Sequence, residues 1–403
     1  MHKVFAMLAL LRHPGPLRRL TLTALQSSIG NEIGLIAVLL IASRTGEGAW
    51  PVTAVLCADL LPMIVLAPLA GVIIDRTAPK PLLVGCDLIR VAAFVGIAIA
   101  TTFPLILGLA LLIGIATAVH RPANKTALAD LAGPNATVAM AALATSWSAA
   151  LTVGPALAAG LLAITGVDAL LLIDAVTFAV SALVIAGLPL RRRGHGEAGP
   201  DEEQHAGWRL LPRGLPAGLG AVLTIGFVSG LALAGINVAE PLLVTNELDA
   251  GDASFAVLIF LFGVGATFGG AACAERSGWR TLLAALALAA TGTAVAVVAD
   301  SVPAAAVAFV MTGVGVGAFI SVELQMTTSL TPSALRGRVF GIKDSLDSLA
   351  IGAGLVLGGA TAALSGPRAV FAAASVMTAA CVLGGVAASR RSRRMSLSRS
   401  IAS

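Results

Sequence analysis

The sequence predicts an all-α membrane protein, twelve transmembrane helices arranged as two pseudo-symmetric six-helix halves. Three observations predict it. Hydrophobic residues fill 57% of 403 positions against 12% charged, apolar runs recur along the whole chain, and a charged motif repeats at an offset of 200 residues. Mean hydropathy is +0.94. A soluble domain carries about 25% charged residues. This chain has too few to cover a water-facing surface, so lipid must cover it. A net charge of +5 would suggest nucleic acid in a soluble protein, but the placement of the basic residues argues otherwise.

A bilayer crossing needs about 20 mainly apolar residues. Cutting the apolar runs at charge, Pro and Gly clusters gives spans 1 to 12 at 18–42, 52–74, 82–101, 103–119, 139–164, 168–188, 218–245, 253–274, 279–299, 303–327, 338–364 and 368–389. With the N-terminus inside, cytoplasmic segments hold 23 of the 26 Lys and Arg residues, and the external loops hold only Arg44 and Arg368. Positive segments resist translocation, so both termini are expected in the cytoplasm of a bacterial plasma membrane. If basic residues merely flanked any apolar helix, the two sides would be nearly equal. The tail Arg390-Arg-Ser-Arg-Arg394 reads as an anchor near anionic lipid, and no nucleic-acid partner is expected.

The apolar stretch 4–11 ends at Arg12 without a small-residue cleavage site, so no secretory signal is read. Cys57, Cys86, Cys273 and Cys381 lie in apolar spans without CxxC spacing and behave as small hydrophobes. No disulfide, metal or cofactor is expected from them. There is no GxxxxGK[ST] loop, so ATP coupling has no support. All five histidines, His120 among them, fall outside the predicted spans, and no His-based proton relay is expected.

The repeat divides the chain. Gly71-Val-Ile-Ile-Asp75-Arg76-Thr-Ala-Pro-Lys80 follows span 2, and Ala271-Ala-Cys-Ala-Glu275-Arg276-Ser-Gly-Trp-Arg280 follows span 8 at an offset of 200. Gly154-Pro155-Ala-Leu-Ala158-Ala159 in span 5 aligns with Gly354-Leu-Val-Leu-Gly358-Gly359 in span 11 at the same offset. The expected organisation is a six-helix bundle over 1–188, a charged Gly/Pro-rich cytoplasmic linker over 189–217, a second bundle over 218–389 and a basic tail over 390–403. Parallel six-helix repeats imply a transporter that rocks one half against the other.

On these residues the chain resembles the major facilitator superfamily along essentially its whole length. The run Gly71-x-x-x-Asp75-Arg76-x-x-x-Lys80 is similar to that superfamily's signature loop between spans 2 and 3, with Pro79 where a second basic residue usually stands. Gly154-Pro155 resembles the span 5 motif of drug–proton antiporters, with Ala158-Ala159 replacing the usual Gly-Gly. Asn31-Glu32, Asp87-Leu-Ile-Arg90, Arg121-Pro-Ala-Asn and Arg336-Gly-Arg-Val-Phe lean toward the macrolide-efflux and siderophore-exporter branch. Unlike many twelve-helix proton antiporters, span 4 as predicted has no arginine in its membrane part. The resemblance implies a central cavity lined by spans 1, 4, 7 and 10. It also sets Asp75 against the start of span 11, where the positive helix terminus would stabilise the acid and close a cytoplasmic gate. Gly71 would allow the close approach.

An ionisable group within a span costs at least about 2.5–3.5 kcal/mol on insertion scales, so each needs a reason. Glu32 lies near the middle of span 1 and so near the midplane. A carboxylate there can take a proton from one side and release it to the other, or simply bond a polar neighbour on another span. Glu240 and Asn237 lie toward the outer end of span 7, where Pro241 suits a bend at a gate; an interfacial, solvated Glu is the alternative. Glu323 and Gln325 lie low in span 10 and either touch substrate or form a polar helix end. Asp59 and Asp174 cap or pair in the outer thirds of spans 2 and 6. Asp87 and Arg90, spaced i, i+3, form a structural charge pair. Glu32, Glu240 and Glu323 are thus the proton-coupling candidates, and Asn31, Asn237 and Gln325 the substrate-cavity candidates.

The expected function is secondary active export of a small amphipathic compound by proton antiport, by a monomer in lipid with protons and substrate as partners. Export of an endogenous product such as a siderophore, or import of a metabolite, is the alternative within transport. A membrane receptor or enzyme is the alternative from another class. An enzyme needs convergent nucleophile, base or metal ligands, and the sequence offers none. Reporter fusions test the topology: sites after residues 46, 166, 249 and 366 should report as extracellular, and 78, 200, 278 and 334 as cytoplasmic. A cytoplasmic signal at 249 would break the two-half arrangement.

Overall fold

The computed structural model describes residues 15–45, 48–133, 136–190, 218–273, 276, 278–331 and 336–402. Within them every regular element is helical. Ten helices are long and apolar enough to cross a membrane, and Trp50–Val65 and Ala149–Leu162 are shorter apolar helices. They fall in the predicted order. Span 1 is Pro16–Ser43 and span 3 is Pro79–Ile99, joined to span 4, Phe103–Ala132, through residues 100–102. Spans 5 and 6 are Ala136–Leu162 and Val167–Ala186. Span 7 is Leu219–Leu242, span 8 Asp252–Ala272 and span 9 Trp279–Val298. Spans 10, 11 and 12 are Val302–Leu330, Arg336–Ser365 and Pro367–Ala402. Most of the expected linker, from 191 to 217, lies outside the described residues.

Prolines explain the interruptions. Span 2 divides into Trp50–Val65 and Ala67–Arg76, where Pro68 lacks the N–H that a continuous helix would need. Span 7 ends in a π-helical turn, Leu243–Glu247, directly after Pro241. Pro122, by contrast, does not end span 4, which runs on for another ten residues to Ala132.

The packing repeats with the sequence. In the first half span 1 packs on spans 5 and 6, span 3 on spans 4 and 6, and span 2 on span 4. In the second half span 7 packs on spans 11 and 12, span 9 on spans 10 and 12, and span 8 on span 10. The halves meet chiefly through the symmetry-mated pairs of span 2 with span 11 and span 5 with span 8. Lipid tails supply no hydrophobic drive between helices, so close approach through small residues must hold them. A Cβ on Gly265, Gly269, Gly313 or Gly317 would run into the backbone of Val310, Val314, Phe262 or Ala266 across the interface of spans 8 and 10. The repeat mates Gly154 and Gly354 do equivalent work, seating span 5 on span 1 and span 11 on span 7.

The two ends of the bundle differ. Ser43, Trp50, Leu242 and Asp252 mark one end, the far face. The other, basic face carries both termini of the described chain. At the far face a single hydrophobic core unites the halves, with Val38, Val52, Ile236, Phe255 and Leu355 among its members. Toward the basic face the cores are separate, around Leu20, Leu83 and Leu128 in the first half and Val222, Leu286 and Phe319 in the second. Arg44 at the end of span 1 pairs with Asp252 at the start of span 8, and Gly359 of span 11 lies against Thr53 of span 2. Among the described residues the halves are thus joined by a shared core at the far face and by none at the basic face.

In this conformation a Cβ on Gly71 would meet nothing within 4 Å; the close approach expected of Gly71 belongs to a state in which the gate is shut. Of the gate motif, Arg76 is exposed and Lys80 half-buried. The side chain of Asp75 lies outside the described residues. Gly317→Val should destabilise the interface of spans 8 and 10 by about 1–3 kcal/mol through overpacking, seen as a lower unfolding temperature in detergent. Gly71→Val should leave that temperature unchanged.

Candidate functional site

The polar groups concentrate in the first half. A cavity of about 460 Å³ is lined by Ser27, Ser28, Asn31 and Glu32 of span 1, and by Thr117, His120, Arg121, Asn124 and Lys125 of span 4. Arg90 of span 3 and Met140 and Leu143 of span 5 complete much of its wall. The two helices contribute matching stripes. Ala24, Ser27, Ser28, Asn31 and Glu32 recur at i, i+3, i+4, i+7 and i+8, as do Thr117, His120, Arg121, Asn124 and Lys125, which is one helix face in each case. Glu32 marks the deep end and Lys125 the end toward the basic face. Gly154 makes room for the acid, since a Cβ there would sit 2.5 Å from Glu32 Cβ. Arg121 and Asp59 are the charges that act on Glu32.

Span 4 extends beyond its apolar run: hydropathy ends it at 119 and places Arg121 and Lys125 after it, whereas the helix reaches Ala132. The helix continues through Pro122, so Arg121 and Lys125 stay on the cavity-facing stripe. His120, expected outside the spans, is buried on that helix, its Nε2 3.3 Å from Asp87 Oδ1. A proline within a helix removes only one hydrogen bond, and its ring clash can be absorbed locally. The signal that would have corrected the reading was the stripe itself, which keeps its 3.6-residue period across Pro122.

Behind the cavity lies a buried charge cluster. Arg90 Nη2 pairs with Asp87 Oδ1 at 2.9 Å, as the i, i+3 spacing predicted. Ser181 Oγ of span 6 donates to Asp87 Oδ2 at 2.6 Å, and the Arg90 guanidinium lies 4.4 Å from the centre of the Phe178 ring. Phe178 in turn stacks on Phe94, 5.9 Å between centroids. Asp174, expected to cap or pair, is fully buried in span 6. Its Oδ1 accepts from Thr177 Oγ1 at 2.9 Å, and its carboxylate presses on Gly30 and Gly34 of span 1. Asp59 and Asn31 line a smaller pocket with Phe94 and Ile113.

The second-half candidates sit elsewhere. Glu323 is buried and pairs with Lys343 of span 11 at 3.2 Å, and Lys343 also bonds Asp347 at 2.6 Å. Gln325 donates to the Cys273 carbonyl at 2.9 Å, tying span 10 to the end of span 8. Asn237 is exposed and donates to the Ala234 carbonyl of its own helix. Glu240 is half-buried before the π-helical turn. Only Glu32 and Asn31 of the six coupling and cavity candidates line the main cavity. Sequence reading missed Lys343, and its i, i+4 spacing to Asp347 was the available signal. Among the described residues no group of three or more His, Cys, Asp or Glu side chains could hold a metal.

Two six-helix bundles joined at one face, with a polar cavity between helices of one bundle, give the frame of a transporter whose halves rock against each other. The chain belongs to the Major Facilitator Superfamily, whose model matches residues 20–223 and again 222–401. Its fold is similar to that of a bacterial homologue of the iron transporter ferroportin in an inward-facing state, at 14% identity and a TM-score of 0.69 over 93% of this chain and 98% of that one. A bacterial homologue of the human lysosomal transporter Spinster, inward-facing and occupied, matches at 14% identity and 0.67, covering 94% of this chain and 96% of that one. The human organic anion transporter MFSD10 (TETRAN) matches at 17% and 0.61, covering 93% of this chain and all of that one. No curated protein matches the sequence.

Removing one partner of the buried pair isolates a charge. Asp87→Ala should cost about 3–5 kcal/mol and lower the unfolding temperature sharply in detergent. The double variant Asp87→Leu with Arg90→Met should recover most of that loss. Equal destabilisation in both would show that the pair's polar contacts, not its charge balance, hold spans 3 and 6.

Proposed function

We propose that this chain is a proton-coupled exporter of a small amphipathic compound in a bacterial plasma membrane, with both termini cytoplasmic, related to the macrolide-efflux and siderophore-exporter branch. The observation that carries the reading is Glu32, the one acid lining the main cavity, held at its deep end by the span 5 motif glycine. The basic face is then the cytoplasmic face. A shared core at the far face and none at the basic face correspond to a cavity loaded from the cytoplasm, and the ferroportin and Spinster homologues it resembles are described as inward-facing. Rocking of the halves about the junctions of spans 2 with 11 and 5 with 8 would expose the same cavity to the other side. Asp75 would meet the start of span 11 in that second state. The force is adequate: about 2.3 kcal/mol per charge per 100 mV sustains roughly a fifty-fold gradient.

Uptake of a metabolite together with protons is the second reading. Arg121 and Lys125 favour it, because they share the cavity with Glu32. A bound anion and a proton on Glu32 would support each other's binding by removing a like-charge repulsion.

Inverted vesicles with an acid lumen separate the two. Antiport predicts accumulation of substrate from a panel of amphipathic antibiotics, dyes and siderophores, abolished by a protonophore. Cotransport predicts instead that the acid lumen speeds loss of preloaded substrate. Glu32→Gln should abolish gradient-driven movement in either case while sparing some downhill exchange. Full gradient-driven accumulation in Glu32→Gln would move the coupling site, with Glu240 and Glu323 next to test.

A further inference from the structure

The main cavity is cationic. Of its charged lining residues Arg90 is balanced by Asp87 at 2.9 Å, which leaves Arg121 and Lys125 against the single acid Glu32. Neither Arg121 nor Lys125 forms an ion pair among the described residues. The one hydrogen-bond contact recorded for Arg121 is Nη1 to the Met63 sulfur at 3.6 Å, a weak acceptor that leaves the guanidinium's other donors free. Asn124, 8% exposed, points the same way with no partner for its Oδ1, and its amide can present either end to a ligand.

A guanidinium within a helix bundle is not left unpaired without cost. Among the described residues the other cations within the bundle core have acids beside them: Arg90 has Asp87, and Lys343 has Glu323 and Asp347. Arg121, half-buried at the wall of the main cavity, has no such pair. A planar fork beside an amide and an ammonium one turn away suits a carboxylate or phosphate oxygen pair. The rest of the wall divides the ligand. Met140, Leu143 and Ala24 offer apolar contact beside these donors.

From this arrangement we infer that the transported compound carries an anionic group, a carboxylate or phosphate, bound by Arg121 with Lys125 and Asn124, and an apolar body lying against Met140 and Leu143. The inference rests on the cavity being the transport site, but on neither direction nor proton coupling. It names a substrate class for the same site that holds Glu32. It also adds charge to the cycle, since a monoanion leaving a negative interior is itself driven by about 2.3 kcal/mol per 100 mV.

Binding to the purified, full-length protein in neutral detergent needs no gradient, so its outcome is separate from that of the vesicle assay. Dansylglycine and naphthylacetate would be compared with their carboxamides, which keep the apolar body and lose the charge. The acids should bind at least about tenfold tighter, as expected for a charge-assisted pair worth roughly 1.5–3 kcal/mol. Arg121→Gln should bring the ratio to near one, Lys125→Gln should reduce it partly, and both should keep the wild-type elution profile. The acid preference should fall with added salt in the wild type. Equal binding of acid and amide, including failure of both to bind, would overturn the inference, as would a preference that survives Arg121→Gln. An anionic lipid headgroup offers the same chemistry. Protection of the protein by phosphatidylglycerol but not by the free acids would assign the site to lipid and overturn a transported anion.

Discussion

Arg90 is almost wholly buried at the back of the cavity, and the first half is arranged around that fact. A buried guanidinium must be matched in charge and covered on both faces. Asp87 supplies the charge from one turn away, Ser181 holds Asp87 from span 6, and the ring of Phe178 covers the guanidinium. His120 approaches the same carboxylate from span 4. One ion pair therefore sets spans 3, 4 and 6 relative to one another. The rotation it fixes for span 4 turns Arg121, Asn124 and Lys125 toward span 1 and so builds the cavity wall.

The second half is held by different means. Spans 8 and 10 interlock through glycines whose missing side chains admit the neighbouring backbone, and a charge cluster of that half joins Glu323 to Lys343 and Asp347. Dispersion between closely fitted backbones is strong in sum and non-polar throughout. The halves share a fold and a repeat, yet one is built as a tight apolar bundle and the other around ionisable groups. That division places the candidate chemistry in the first half and gives it a firm body to move against.

Much of the fold was legible because hydrocarbon imposes simple rules on sequence. Span count, order and the two-half repeat follow from apolar run length and an offset of 200 residues, and the Asp87–Arg90 pair follows from helical spacing. The site was legible only in part. Asn31 and Glu32 stood out as polar residues inside an apolar run. Arg121, Asn124 and Lys125 did not, because Pro122 and nearby charges resemble a loop when hydropathy alone sets the boundary. Amphipathic period, which hydropathy averages away, carries the information there. Depth alone leaves Glu323 and Gln325 open between substrate contact and a polar helix end, and in this conformation Glu323 faces Lys343 and Gln325 the Cys273 carbonyl. Depth along a span is readable from sequence; the direction a residue faces in a helix buried on several sides is much less so.

The shared apolar seam at the far face has a thermal consequence. To present the cavity on that side, contacts such as Gly359 on Thr53 and the core around Val38, Val52 and Ile236 must part and take up water. Hydration of apolar surface raises heat capacity, so the opening step has an enthalpy that changes with temperature. An Arrhenius plot of turnover should therefore curve wherever that opening is rate-limiting, even in a bilayer with no phase transition of its own. The curvature would measure how much of the seam is wetted at the top of the barrier.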